Sequence, residues 1–280
     1  MVPLYELHPF RDHPFRVVDD DRMMETVESV KEYGVLVPII ARPSEDGGYE
    51  IVSGHRRKRA CELAGIDDIP VIVRNLDDDE AVIIMVDSNL QRENILPSER
   101  AKAYKMKMEA IDRVRGRPKK ERQVGANYFG KKTSEIIADG SGESTRQVER
   151  FVQLNNLEQP LLDKVDAGRL AFTPAVELSK LKPIEQQWVQ TALETTQQTP
   201  SLSQAQRMKR ESKEGTLTQE TVLDIMSEGK QTIPIKGSII LPQERMYRYF
   251  PRSYTPKQIE EALYRMLESW LKKRQHSQER

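Results

Sequence analysis

The sequence predicts an α+β protein: an N-terminal α+β domain over 1–112, a central all-helical domain over 113–193 and a small C-terminal domain over 218–280 that ends in a long helix. Two observations lead to this prediction. Short apolar runs alternate with amphipathic helical patterns in the first part, whereas helical spacing dominates the second. Polar residues and a proline interrupt the pattern after residue 193, so 194–217 is predicted to be a linker or helical junction.

The N-terminal domain is predicted to alternate helices and short strands. Apolar spacing predicts a helix from Asp21 to about Tyr33, and Gly34 stands where a left-handed C-terminal cap belongs. The other predicted elements are strands at 37–42, 49–53 and 69–76, and helices at 56–63, 78–91 and 98–114.

Charge is unevenly distributed along a chain whose formal net charge is zero. Residues 1–112 carry 15 Lys and Arg against 23 Asp and Glu, residues 113–213 carry 18 against 12, and residues 214–280 carry 11 against 9. The single cysteine, Cys61, excludes a disulfide scaffold and a multi-thiolate metal site. Neither a signal-peptide pattern nor a membrane-spanning apolar run is present, so we expect a cytoplasmic protein without a membrane partner.

Two polar clusters in the N-terminal domain carry the chemistry of anion binding. Ser53 and Gly54 end a β-branched run and precede His55-Arg56-Arg57-Lys58-Arg59 at a helix start. Glycine permits close backbone approach, the first helical turn offers free N–H groups, and guanidinium groups suit phosphate oxygens. The first cluster alone could be a solvated helix face. Asn89-Leu90-Gln91-Arg92-Glu93 adds amides, a second arginine and a carboxylate, and together the clusters favour a phosphate site.

The central domain has the spacing of a helix-turn-helix motif. Ala138 lets two helices cross closely, Gly142 suits a left-handed turn, and Val148 packs the second helix on the first. Ser144 or Thr145 is predicted to cap that second helix. A helical pair without a DNA role could show the same spacing by chance, but the basic residues that lead into the motif favour DNA binding.

The predicted DNA-binding residues fall into two groups. Side chains at the start and outer face of the second helix are predicted to meet the major groove, and residues at the start of the first helix are predicted to hold phosphates. The first group is Ser144, Thr145, Arg146, Gln147 and Arg150, and the second is Lys131, Lys132, Thr133 and Ser134.

The C-terminal part is predicted to contain a short helix over 218–229, strands at 231–235 and 238–241, and a terminal helix. Thr255-Pro256-Lys257-Gln258 has the pattern of a capped helix start. The apolar stripe beyond it packs either against its own domain or against a second copy of the chain.

The paired motifs resemble the N-terminal domain of the ParB chromosome and plasmid partition proteins. Gly54-His55-Arg56-Arg57-Lys58-Arg59-Ala60 is similar to the family pattern Gly-Glu-Arg-Arg-x-Arg-Ala, and Asn89-Leu90-Gln91-Arg92-Glu93 to Glu-Asn-Leu-Gln-Arg-Glu. The resemblance covers about residues 1–180 and indicates a divergent member of the plasmid or mobile-element type. It implies the ParB/sulfiredoxin fold for the N-terminal domain, with CTP and magnesium as cofactors.

The resemblance also implies a function. The chain would be a homodimer that binds a centromere-like DNA site and forms a CTP-dependent sliding clamp for chromosome or plasmid segregation. It would be associated with the nucleoid and have a ParA-type Walker ATPase as partner. The implied nucleotide-binding residues are Ser53, Gly54, His55, Arg56, Arg57, Asn89, Arg92 and Glu93, and Asn89 is also the implied magnesium ligand.

Three positions depart from the family pattern. His55 and Ser88 replace glutamates, and Phe15 stands in place of a glutamine. Because a hydroxyl at residue 88 removes a hard-cation ligand, we expect nucleotide binding with weak CTP hydrolysis. A transcriptional regulator with a degenerate nucleotide site, or a small-molecule kinase of the same fold, are the alternatives. Sulfiredoxin chemistry is disfavoured because Gly54 occupies the position of its cysteine.

Overall fold

The computed structural model describes residues 1–92, 94–116, 130–228, 249–251, 254–255 and 258–267. The chain divides into two compact units, 1–229 and 230–280, each of which is described by itself. Among the described residues, every helix is too short or too polar to span a lipid bilayer.

The N-terminal domain is built on a four-stranded mixed sheet in the order β2-β4-β3-β6, with a separate antiparallel pair β1-β5. The antiparallel pair β3/β4 is central, and β2 and β6 each add a parallel edge. The elements are β1 (Val2–Pro3), a 3-10 turn (Leu4–Glu6), β2 (Leu7–His8), α1 (Asp21–Tyr33), β3 (Ile39–Pro43), β4 (Tyr49–Ser53), α2 (His55–Ala64), β5 (Asp68–Ile69), β6 (Val71–Val73) and α3 (Asp78–Leu90).

Capping residues set the ends of the helices. Asp20 caps α1 by accepting the Met23 N–H at 2.9 Å, and Gly34 ends that helix at φ +71°. Asp77 caps α3 and forms a reciprocal capping box with Glu80. The prediction of α1 is therefore confirmed at both ends.

The strand predictions are confirmed only in part. The single strand predicted over 69–76 is two short strands, β5 and β6, on either side of Pro70, which has no N–H to donate to a sheet. Strands β1 and β2 were not predicted, because two-residue strands carry no alternation of apolar and polar residues.

From residue 97 onward the described residues of the first unit are mostly helical, which confirms an α+β domain followed by a mostly helical region. Its helices are α4 (Pro97–Gly116), α5 (Thr133–Ser141), α6 (Thr145–Leu154), α7 (Gln159–Asp166), α8 (Phe172–Leu178), α9 (Pro183–Thr196), α10 (Leu202–Glu214) and α11 (Gln219–Ser227). Helix α4 lies between the two regions. Its Ala103 packs with the N-terminal domain, whereas Tyr104 and Ile111 pack with α5 and α6.

The segment predicted as a linker or helical junction forms a packed helix. In α10, Ala205 and Met208 are buried in the same core as Leu193 of α9. Val222 and Ile225 of α11 join that core as well. The sequence prediction missed this packing because the helix is polar overall and only a narrow apolar stripe faces inward. The predicted boundaries at 193 and 217 thus stay predictions, although the core is continuous across them.

In the second unit, residues 258–267 are helical. The Gln258 side chain accepts the Thr255 N–H at 2.8 Å, as the predicted capping pattern requires. The predicted strands at 231–235 and 238–241 lie outside the described residues.

Candidate functional site

Gly54 joins β4 to α2 at a position where only glycine fits. Its φ is +116°, in the region that side chains with a Cβ rarely adopt. A Cβ at this position would lie 2.9 Å from Ile39 Cγ1 and 3.1 Å from Arg57 Nη2. The absence of a side chain therefore lets the N-terminus of α2 pack directly against β3, which presents the first-turn N–H groups at the end of the sheet.

Arg56 and Arg92, one from each sequence cluster, face the same open cavity of about 490 Å³. Burial lowers the pKa of the Arg92 guanidinium, and the nearby charge of Arg56 lowers it further. Two cations at one cavity repel each other unless an anion lies between them. The cavity is lined by Asp20, Asp21, Arg22, Arg56, Arg92 and Asn94.

Asn89 is hydrogen-bonded to Arg92, which lines this cavity. Arg92 Nη1 donates to Asn89 Oδ1 at 3.4 Å, and Asn89 Nδ2 donates to the Met85 carbonyl at 2.8 Å. The predicted magnesium ligand therefore offers one neutral oxygen, which already accepts a hydrogen bond. Among the described residues, no group of three or more His, Cys, Asp or Glu side chains is arranged to hold a metal ion. A magnesium ion at Asn89 would thus depend mainly on phosphate oxygens and water.

Arg57 and Ser53 lie beside the cavity in other roles. The Arg57 guanidinium donates to the carbonyl of Val37 and, at 2.5 Å, to that of Pro38, and burial lowers its pKa. It thereby fixes the loop that leads into β3. Ser53 ends β4 opposite Ile40. For Arg57 to bind phosphate, as predicted, it would have to leave these carbonyls.

His55 forms a neutral stack with a second histidine. The rings of His55 and His13 lie 3.9 Å apart, and His55 Nε2 accepts the Phe10 N–H at 3.2 Å. Burial, together with the charges of His13 and Lys58, lowers the pKa of His55 to about 3. His13 Nδ1 donates to the Phe15 carbonyl at 2.7 Å. Two of the three departures from the family pattern, His55 and Phe15, thus both contact His13.

Phe15 and Ser88, the other two departures from the family pattern, have local structural roles. Phe15 is buried in the core with Phe10 and Met85. The Ser88 hydroxyl donates to the Met85 carbonyl at 2.9 Å, and the neighbouring Asp87 pairs with Lys107. Asp87 therefore does not replace the missing carboxylate at residue 88. Glu93 lies outside the described residues.

The helix-turn-helix prediction is confirmed. Helix α5 ends at Gly142 with φ +72°, and Ser144 caps α6 by accepting the Gln147 N–H at 3.2 Å. Val148 and Phe151 of α6 pack with Ile137 and Ala138 of α5, as the spacing predicts.

The polar side chains on the outer face of α6 differ in the contacts that they make with the rest of the protein. Arg146 is exposed on α6. Arg150 donates to Thr173 Oγ1 at 2.7 Å and to Gln147 Oε1 at 3.1 Å, and its guanidinium lies 4.9 Å from the centre of the Phe172 ring. Helix α8 therefore holds Arg150 in place, whereas Arg146 is open to solvent.

The predicted phosphate contacts of α5 divide into exposed and buried residues. Lys131 and Lys132 are exposed, and Lys131 pairs with Asp139 at 2.6 Å. Thr133 and Ser134 are buried, and their hydroxyls donate to Asp112 at 2.5 Å and to Glu149 at 3.2 Å. The structure gives these two hydroxyls a structural role, so we do not carry them into the proposed interface. Thr145 is half-buried at the start of α6.

The sequence prediction missed the acidic residues that pair with the arginines of α2. Asp20 pairs with Arg56 at 3.2 Å, and Asp19 pairs with Arg59 at 2.6 Å. The signal was a run of three aspartates before a helix, which also has a simpler explanation as a capping pattern. Only the fold reveals that this run meets the arginines of α2.

The chain is similar in sequence to a known domain family and to several known proteins. Residues 1–90 match the family described as the ParB N-terminal domain. The N-terminal domain of the chain thus matches this family. It is 33% identical over 162 residues to the probable chromosome 1-partitioning protein ParB of Deinococcus radiodurans, covering 58% of this chain and 49% of that protein. It is 30% identical over 186 residues to a nucleoid occlusion protein of Listeria monocytogenes, covering 66% and 59%.

Solved structures of ParB from Caulobacter crescentus also match. The C-terminally truncated protein complexed to the centromeric parS site is 25% identical, with a TM-score of 0.44 over 80% of this chain and 96% of that chain. The same protein complexed with CTP-γ-S is 31% identical, with a TM-score of 0.31 over 63% and 89%. The matches span about half to three fifths of the length of the Deinococcus and Listeria ParB-family relatives.

Proposed function

We propose that this chain is a sequence-specific DNA-binding partition protein of the ParB family. Its N-terminal domain binds CTP, its helix-turn-helix binds a centromere-like DNA site, and CTP binding drives formation of a sliding clamp. The observation that carries the proposal is the meeting of Arg56 and Arg92 at one cavity. These arginines come from the two motifs that resemble the nucleotide-binding motifs of the family.

The cavity supports binding of a triphosphate rather than of an apolar ligand. Two guanidinium groups can each bind phosphate oxygens through two N–H donors, and the first turn of α2 adds backbone donors nearby. Gly54 leaves the space that close approach of a phosphate needs. Magnesium would be held chiefly by the triphosphate, with Asn89 as a weak additional ligand. The choice of CTP over other nucleotides rests on the family resemblance.

The helix-turn-helix supports binding to the major groove of DNA. The exposed Arg146 is of the residue type that donates to guanine, and Gln147 is of the type that pairs with adenine. Lys131 and Lys132 lie at the N-terminus of α5, where cations and helix N–H groups favour phosphate. We infer that Arg146 and Gln147 read bases and that the two lysines position the protein on the backbone.

Separate variants test the two sites. Arg56→Ala is expected to weaken CTP binding at least tenfold and to leave affinity for selected DNA unchanged. Arg146→Ala is expected to weaken DNA binding by about 1–3 kcal/mol and to leave CTP binding unchanged. Titrations of CTP, ATP and GTP, and of DNA selected from a random pool, measure both. Arg74→Ala and Arg210→Ala, which remove exposed arginines elsewhere, are the matched controls. Loss of both activities in either site variant would contradict the assignment.

A transcriptional regulator with a degenerate nucleotide site is the second candidate. The observation that favours it is the Ser88 hydroxyl, which turns back to its own helix and leaves no carboxylate at this position. Phosphate release in the presence of CTP and DNA measures the rate of CTP hydrolysis, which we expect to be low. Absence of any nucleotide binding would favour the regulator.

The proposals on cellular location, oligomeric state and protein partner rest on the resemblance to the ParB family. We propose that the chain acts in the cytoplasm at the nucleoid as a homodimer and that a ParA-type Walker ATPase is its partner. Light scattering of the full chain tests the dimer. Stimulation of ATP hydrolysis in a co-encoded Walker ATPase tests the partner.

A further inference from the structure

The arginines of α2 already have carboxylate partners. Arg59 Nε and Nη2 donate to the two oxygens of Asp19 at 3.1 and 2.6 Å. Arg56 Nη2 donates to Asp20 Oδ1 at 3.2 Å. The two-point contact of Arg59 with Asp19 is the geometry that a guanidinium group also adopts with a phosphate.

These aspartates are held in place by the fold. Asp20 caps α1 and accepts the Met23 N–H, so its carboxylate is fixed at the cavity wall while it contacts Arg56. Hydrogen bonding to Arg59 lowers the pKa of Asp19, and hydrogen bonding to Arg56 lowers that of Asp20. Both carboxylates therefore stay charged throughout the neutral pH range.

The cavity thus contains its own anions. An incoming phosphate group that approaches Arg56 meets Asp20, and the adjacent wall carries Asp21. The phosphate must displace Asp20 from Arg56, or it must accept the repulsion of two nearby carboxylates. Either requirement reduces the affinity of the cavity for anions.

We propose that Asp20, together with the adjacent Asp19, sets the affinity of the nucleotide site: Asp20 competes with phosphate for Arg56 at the cavity, and Asp19 neutralises the neighbouring Arg59. The inference rests on the proposed nucleotide site and deepens it, because it names the residues that oppose binding. Nucleotide binding then breaks the contact between the start of α1 and α2. Since exposed ion pairs are individually weak, removal of the competition changes affinity by a modest factor.

The test uses the full chain and inorganic tripolyphosphate, a probe without a base. Asp20→Asn removes the charge but keeps the helix cap, because asparagine caps helices as well as aspartate does. The double variant with Asp19→Asn and Asp20→Asn is expected to bind tripolyphosphate about three- to tenfold more tightly without divalent metal. Glu25→Gln removes the same charge from an exposed position on α1 and is the matched control, with a change below about twofold.

Calorimetric titration with tripolyphosphate, without and with magnesium, is carried out on the wild type, the double variant and the Glu25→Gln control. Equal or weaker binding by the double variant, or no binding by any of the proteins, overturns the proposal. A loss of affinity that appears only with magnesium also overturns it, because it makes the aspartates metal ligands rather than competitors.

Titration of CTP, ATP and GTP separates this inference from the proposed function. If the double variant binds tripolyphosphate more tightly but the wild type shows no preference for CTP, the competition is supported and the assignment of CTP is contradicted. A wild-type preference for CTP together with unchanged affinity in the double variant leaves the proposed function intact and overturns the competition.

Discussion

His55 shows how a single residue can be accommodated at a position where the family pattern has a carboxylate. Its imidazole accepts a backbone N–H and stacks on His13, so the buried ring has a polar partner without bearing charge. Protonation of His55 Nε2 would remove that acceptor and place a cation beside a second histidine. The neutral form is thus the one that fits this site.

The stability of the fold should therefore depend on pH. The pKa of His55 is lowered from 6.5 to about 3, so between these values the unfolded chain binds a proton that the folded chain excludes. We expect stability to fall as the pH drops from 6.5 toward 3, by up to about 1.4 kcal/mol per pH unit. Urea unfolding between pH 7 and pH 5 measures this slope.

Variants assign the slope to its residue. His55→Gln retains a polar side chain that does not titrate and should reduce the slope, while His13, whose pKa burial also lowers, keeps part of it. His8→Gln, which changes an exposed histidine of the same domain, should keep the wild-type profile. Parallel profiles for wild type and the His55 variant would show that the slope arises elsewhere.

Gly54 makes a second prediction at the residue scale. Alanine at this position must adopt φ +116° and place its Cβ 2.9 Å from Ile39, so Gly54→Ala should cost about 2–4 kcal/mol of unfolding free energy. Gly47→Ala has a similar φ of +87° but no atom within 4 Å, and should cost about 1 kcal/mol. Equal costs in urea unfolding would mean that the close contact contributes nothing.

The contact between α3 and α4 depends on a buried cation. Lys107 of α4 is only 4% exposed, and its ammonium pairs with Asp87 of α3. Loss of the carboxylate leaves a buried, unpaired ammonium, and this lowers the free energy of unfolding by more than the intact pair raises it. Replacement of the lysine by an apolar residue removes the buried charge altogether. The pair therefore fixes how α3, which carries Asn89, lies against α4.

Asp87→Asn should consequently destabilise the chain by about 2 kcal/mol, because it leaves Lys107 buried without its counter-charge. Lys107→Met keeps the unbranched shape without charge and should cost less than about 1 kcal/mol. Urea unfolding measures both. A larger cost for the methionine variant would indicate that the ion pair itself stabilises the contact.

Elements with strong local signals were predictable from the sequence. Helix α1 has a capping aspartate, an apolar stripe and a terminal glycine, and the turn of the helix-turn-helix has Gly142 at the required spacing. Helix α10 was missed because burial of Ala205 and Met208 depends on packing against α8 and α11 rather than on local pattern. The site was predictable to the same extent: the motifs indicated Arg56 and Arg92, but only the fold brings Asp19 and Asp20 to the arginines.

The molecule as a whole has a helical core that crosses the predicted domain boundaries. Val222, Ile225 and Met226 of α11 are buried in the same cluster as Val189 and Leu193 of α9. The predicted C-terminal domain thus begins with a helix that the helical region needs to cover its own apolar surface.

Truncation tests this boundary. A chain that ends after Glu228 should keep the thermal stability of the helical region, whereas a chain that ends after Leu217 should lose about 5 °C or more, because α9 is then exposed. Circular dichroism melts measure the difference. Light scattering of the longer fragment also tests the predicted dimerisation domain, since a fragment without 229–280 is expected to be monomeric. Equal melting of the two fragments would place the boundary at residue 217.

Helix α4 limits how such proteins can be recombined. Ala103 completes the N-terminal core, while Tyr104 and Ile111 complete the core that they share with α5 and α6. A chimera joined at residue 112 would combine an α4 from one parent with an α5 and α6 shaped for another, leaving holes or clashes at the junction. Exchange of α5 and α6 for those of a relative therefore requires transfer of α4 with them, or a redesign of the face of α4 that packs against them.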